Sequence, residues 1–131
     1  MEATTIFYLG PRTTLTHADF ANIDYLIASE KDAAGLKDHP IKNVIWLHDN
    51  FDASIKPAGA HERIKAPPLK AIDTSGCADA FCGTFASAIY EKMPLEKAVR
   101  RACVAAALCA TKKGAYSAMP FGAEIEAALK S

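Results

Sequence analysis

The run Asp73-Thr74-Ser75-Gly76-Cys77-Ala78-Asp79-Ala80-Phe81 decides how the rest of the chain is read. A β-type pair, Ala71-Ile72, leads into it. Apolar residues at helical spacing follow at Phe81, Phe85, Ala88 and Ile89, so an extended segment turns into a helix here. Ser75 and Gly76 are small, cap-compatible residues at that junction. The first helical amides, from Gly76 to Asp79, have no intrahelical acceptor. Together with the helix dipole they form a place for an anion, most naturally a phosphate. Asp79 falls in the first helical turn and sets a carboxylate beside that place. An anion cradle next to a base is suited to phosphoryl transfer, where positioning and charge stabilisation do most of the catalysis. Taken alone, the run also reads as a well-capped helix whose Asp79 complements the dipole.

Working outward, 131 residues, half of them apolar, are enough for one domain with a core of its own. Lys and Arg balance Asp and Glu at 15 each, and no basic run occurs, so nucleic acid is not an expected partner. The longest apolar run, 102–110, is far too short to span a bilayer. Met1-Glu2-Ala3-Thr4-Thr5 has no basic signal-peptide region, and a cytoplasmic location without membrane contact is expected. The cysteines agree. Cys77, Cys82, Cys103 and Cys109 all fall on expected helices with no Cys-x-x-Cys pair, which suits neither a disulfide framework nor a zinc site. A thiol at a helix N-terminus can ionise and react, so Cys77 has a second reading as a reactive cysteine, although no His/Asn partner pattern accompanies it. His17, His39, His48 and His61 are scattered without ligand spacing and read as surface or loop residues.

In chain order, 4–9 is a β-branched, apolar strand ended by Gly10-Pro11. Thr16 caps a short helix through 17–21. Tyr25-Leu26-Ile27-Ala28 is a second strand. Ser29, with an acid near the capping-box position, opens a helix that His39-Pro40 stops. Val44-Ile45-Trp46-Leu47 is a third buried strand. A polar loop with Asp49, Asn50, Pro57 and Gly59 follows, then an exposed, less regular strand over 61–66 before Pro67-Pro68. Alternation of strands and helices predicts an α/β fold with a mostly parallel sheet. The last third is helical: 77–92, then 95–113 with Gly114 as its C′ residue, then 121–129. The alanines of the second of these helices suit close packing on the sheet.

The central run resembles the second signature of the ribokinase-like (PfkB) carbohydrate kinases, Asp-Thr-[Ser/Thr]-Gly-Ala-Gly-Asp-x-Phe. The match falls on Asp73, Thr74, Ser75, Gly76, Asp79 and Phe81. It continues through Gly83, Glu96-Lys97-Ala98-Val99-Arg100 and Thr111-Lys112-Lys113-Gly114-Ala115 to Met119-Pro120. The likeness is close over 71–131 and loose over 1–70. It implies a ribokinase-like three-layer α/β/α fold, here truncated to the C-terminal, ATP-side half, since the family's longer members carry a Gly-Gly signature, sugar-binding residues and a lid ahead of this point.

The resemblance also implies roles. Asp79 is the catalytic base, and the amides of Gly76, Cys77 and Ala78 form the anion hole. Thr74, Lys113, Gly114, Ala115 and Ser117 lie along ATP. Asp32 stands near the family's magnesium-organising Glu, with Ser29 at the Asn of that motif. Asp73, with carbonyls around Gly114 and Ser117, corresponds to a monovalent-cation (K+) site. Two departures bear on this. Ala78 replaces a Gly, which costs about 1 kcal/mol if the backbone there has positive φ and nothing if it is helical. After Leu47, His48-Asp49-Asn50-Phe51 lacks the family's loop Gly. The expected activity is ATP- and magnesium-dependent phosphotransfer to a hydroxyl of a sugar or nucleoside. The alternative is a remnant or subunit that keeps the fold without turnover, and a homo-oligomer or partner chain is expected in either case.

Overall fold

The structure, a computed structural model, describes residues 4–9, 23–29, 43–48, 50–56, 63–74, 76–113 and 122–130. The helices expected after Thr16 and Ser29 lie outside them. The chain divides into two compact units, one of residues 1–49 and 53–63, the other of residues 50–52 and 64–131.

The first unit is built on strands β1 (Ile6–Leu9), β2 (Tyr25–Ser29), β3 (Asn43–Leu47) and β4 (Ala53–Lys56). A two-residue β5 (Arg63–Ile64) completes the strand order β1-β2-β3-β4-β5. β1 runs parallel to β2, with Ile6 opposite Tyr25, and β2 parallel to β3, with Leu26 opposite Val44. Leu26, Ile27 and Ala28 are consecutive and all fully buried. Successive strand residues point to opposite faces, so β2 is covered on both, as its continuous apolar sequence requires of a parallel strand. On one face Leu26, Ala28 and Val44 gather Phe7, Ile23 and Trp46. Burying a side chain such as Leu26 contributes about 1.5–3 kcal/mol. The start is pinned as well: the Thr5 carbonyl accepts the amides of Asp24 and Tyr25, and the Thr5 amide donates to Asp24 Oδ2 at 2.8 Å.

One expectation needs correction in this unit. The polar loop expected after Leu47 contains β4, which pairs antiparallel with β3 (Leu47 opposite Ala53, Ile45 opposite Ile55). His48, in the loop that follows β3, is half-buried there, with Nε2 2.8 Å from Ser54 Oγ. Ser29 is the last residue of β2, opposite Leu47.

In the second unit, α1 (Cys77–Tyr90) buries Cys77, Ala80, Phe81, Phe85 and Ala88, a helical stripe, against α2 (Leu95–Ala110). In α2 the six consecutive residues 102–107 are all buried, so this stretch of the helix is apolar on every side and sits inside its unit. Its alanines admit α1 on one side and α3 (Gly122–Lys130) on another, where Ile125 packs on Val104 and Ala105. The expected end at 113 is three residues late. The Ala110 carbonyl accepts the amides of Ile72 (2.7 Å) and Asp73 (3.1 Å), and Thr111 Oγ1 donates back to the Leu108 carbonyl at 2.7 Å. With those carbonyls taken, the helix stops. Ala71-Ile72 is accordingly not a strand: Ile72 is 61% exposed, and its amide serves the end of α2. Ile64, expected on an exposed strand, is buried.

Asp52 is the buried charged residue of the described set. Its Oδ1 accepts the Ala66 amide at 2.7 Å and its Oδ2 the Asn50 Nδ2 at 3.0 Å, so the carboxylate is satisfied and ties the 50–52 turn to the segment leading toward Thr74. Among the described residues no helix is long and apolar enough to cross a membrane.

Candidate functional site

The junction into α1 is shaped by its backbone. Gly76 is the N-cap with φ 73° and ψ 3°, the left-handed region, and no side chain caps the helix. A residue with a Cβ there would cost about 1–2 kcal/mol. The helical ladder opens with the Ala80 amide donating to the Gly76 carbonyl at 2.9 Å. The amides of Cys77, Ala78 and Asp79 precede it, and that of Cys77 donates to the Thr74 carbonyl at 3.2 Å. Ala78 lies inside the helix and is not among the positive-φ residues. Its methyl group is therefore no burden, and the left-handed position belongs to Gly76 instead. Ser75 lies outside the described residues.

Asp79 is exposed in the first turn of α1, on the positive end of the dipole. Thr74 is exposed and Asp73 half-buried, on the approach to the helix start at Gly76. Cys77 points the other way. Its Sγ is 3.8 Å from the Asp73 carbonyl oxygen, and burial first, then the hydrogen bond and charge of Cys109 and the charge of Asp73, push its thiol up to about 12. That overturns the reactive-cysteine reading, because the thiol stays protonated at neutral pH. Cys82, one turn beyond Asp79, is likewise pushed up to about 12 by burial and then by the Asp79 charge.

Lys113 is exposed, three residues past the Ala110 carbonyl that holds Asp73. Gly114, Ala115 and Ser117, expected along the nucleotide, and Asp32, expected near magnesium, lie outside the described residues. Among the described residues no group of three or more His, Cys, Asp or Glu side chains is placed to hold a metal. What the sequence did not reveal is the scaffold: the Ala110 carbonyl, which receives two amides of the signature, and the pairing of Lys112 Nζ with Glu124 Oε2 at 2.8 Å. The only hint was a lysine just past one helix and an acid in the first turn of the next.

The family of this arrangement is shown by comparison. Residues 16–121 match the pfkB family of carbohydrate kinases, and the chain belongs to that family. The Haemophilus influenzae ribokinase is 33% identical over 90 residues, which is 69% of this chain and 29% of that enzyme. The crystal structure of the Thermotoga maritima ribokinase matches with a TM-score of 0.90 and 28% identity, over 100% of this chain and 50% of the other. The Arabidopsis thaliana ribokinase complexed with ribose and ATP matches in fold, with a TM-score of 0.84 and 23% identity over 98% of this chain and 48% of its own. The fold is thus ribokinase-like α/β with a mostly parallel sheet. The chain spans half or less of each of these relatives.

Proposed function

We propose that this chain supplies the nucleotide-binding and catalytic-base side of an ATP-dependent phosphotransfer to a hydroxyl of a sugar or nucleoside. The observation that carries the reading is the turn at Gly76, whose left-handed backbone precedes the first helical amides while Asp79 stands exposed in the first turn of α1. Amides of Gly76, Cys77 and Ala78 hold the oxygens of the transferred phosphoryl group, and the Cys77 amide exchanges its bond to Thr74 for one to the anion. Asp79 takes the proton of the attacking hydroxyl as its oxygen bonds to the γ-phosphorus and the bond to the ADP oxygen breaks. Thr74, Lys113, Gly114, Ala115 and Ser117 line the nucleotide. Magnesium, near Asp32, neutralises phosphate charge when bound, and a potassium ion at Asp73 steadies the turn.

That the Arabidopsis enzyme was seen with ribose and ATP supports a pentose or a nucleoside as the hydroxyl compound. A second reading, nucleotide binding without turnover, is supported by the share of its relatives that the chain spans. Calorimetric titration with ATP and magnesium, beside an ADP-release assay on ribose and nucleosides, separates the two. Asp79→Asn is expected to abolish ADP release and leave ATP affinity unchanged or slightly higher, since a negative charge beside the phosphates is removed. Release at the parent's rate would show that Asp79 is not the base. ATP binding with no release by the parent establishes the second reading, and no ATP binding removes both.

A further inference from the structure

Gly83 stands inside α1, where only proline is a poorer helix former than glycine. Two ordinary reasons for a glycine do not apply to it. Its φ is not positive, since Gly76 is the glycine with that conformation among the described residues. Nor does a neighbour crowd it: no heavy atom of the described residues lies within 4 Å of where its Cβ would stand. An alanine would fit there and would make the helix more stable.

What the glycine leaves clear is the approach to Asp79. The two are four residues apart and both exposed, so they share one face of α1. The Cα–Cβ bonds of a helix tilt toward its N-terminus, and a side chain covers the turn that precedes its own Cα. A long side chain at position 83 would therefore lie over the Asp79 carboxylate. We propose that Gly83 is a specificity-determining residue on the acceptor side of the reaction. By leaving this face bare, it admits the carbon skeleton of the hydroxyl compound across α1, with the hydroxyl at Asp79. Gly83 itself touches no reacting atom. This rests on the reading of Asp79 as the base given above.

Alanine and leucine are the test substitutions because both are better helix formers than glycine. The melting temperature of Gly83→Ala is expected to rise by about 3–5 °C, and calorimetric ATP–magnesium affinity to stay at the parent's value in both variants. Coupling of an amine to Asp79 by a water-soluble carbodiimide, read by peptide mass mapping, is expected to slow several-fold in Gly83→Leu. ADP release on ribose, assayed at high chain concentration, is expected to fall about ten- to a hundredfold in Gly83→Leu and less in Gly83→Ala. A more stable helix with a less usable base is an outcome that a purely structural glycine does not produce. Release at the parent's rate in Gly83→Leu, an unchanged coupling rate at Asp79, or a lower melting temperature in Gly83→Ala overturns the inference while leaving Asp79 as the base. A loss of ATP affinity equal to the loss of release overturns it too, since the side chain would then act on the nucleotide. If the parent releases no ADP on any hydroxyl compound, the reading itself fails and the inference falls with it.

Discussion

At Lys92 the backbone turns left-handed, with φ 62°, on a residue that carries a Cβ. The hydrogen bonds explain why. Met93 donates to the Ala88 carbonyl at 3.0 Å and Lys92 to that of Ile89 at 2.9 Å, the paired closure that ends a helix through an αL residue. Glycine is the usual occupant, and lysine there costs about 1–2 kcal/mol. Lys92→Gly is therefore expected to stabilise the protein by about 1 kcal/mol, read as a higher urea midpoint at unchanged slope. Sequence reasoning carried the helix to this residue, because lysine is a good helix former and Pro94 lies two positions beyond. Gly76 shows the opposite case. Its importance was legible from the signature, but which of positions 76 and 78 turns left-handed depends on where the helix begins, and a string of small residues does not show that. What was legible at the residue scale is the helix start itself: Cys77 opens α1, with Gly76 before it and Asp79 in its first turn.

At the scale of elements, legibility followed the length of the apolar pattern. β1, β2 and β3 and the three described helices have runs of large or periodic apolar residues. β4 has Ala53 and Ile55 buried on alternate positions, a period-2 signal only four residues long and crowded by Asn50 and Pro57. The end of α2 was misread for a different reason: the groups that stop it, the amides of Ile72 and Asp73, come from almost 40 residues earlier in the sequence. Packing of α1 also sets a pH response. Its cysteines Cys77 and Cys82 are pushed from 9.0 to about 12, burial being the first cause in each. The folded state then holds the thiol protons more tightly than the unfolded chain, so their stabilisation is complete below pH 9 and is lost as pH rises toward 12. The urea midpoint is expected to fall above pH 9, less steeply in Cys82→Ala than in the parent. Iodoacetamide is expected to label both thiols slowly at neutral pH and rapidly once urea unfolds the chain. An equal alkaline slope in parent and variant would count against the Cys82 contribution.

For the whole molecule, the strand order leads to a last prediction. β1 stands first in the order, so among the described residues no strand flanks it on its other side. Its neighbour β2 is buried on both faces, and Ile6, Phe7 and Tyr8 of β1 are themselves half-buried, which is the character of an inner strand more than of a charged or shortened edge. A row of strand amides and carbonyls on such an edge is a template for another chain. The matching Thermotoga maritima ribokinase is about twice as long as the region shared with this chain, so the hydroxyl compound is expected to need groups beyond these 131 residues to be placed in line with the γ-phosphate. The 131-residue chain is accordingly expected to bind ATP but to release ADP poorly on any sugar or nucleoside, and to elute as a pair of chains or larger. Size-exclusion chromatography with light scattering measures the second, and a coupled ADP assay over ribose, deoxyribose and nucleosides the first. A monomer that turns over one of those substrates at an ordinary kinase rate would refute both halves of the prediction.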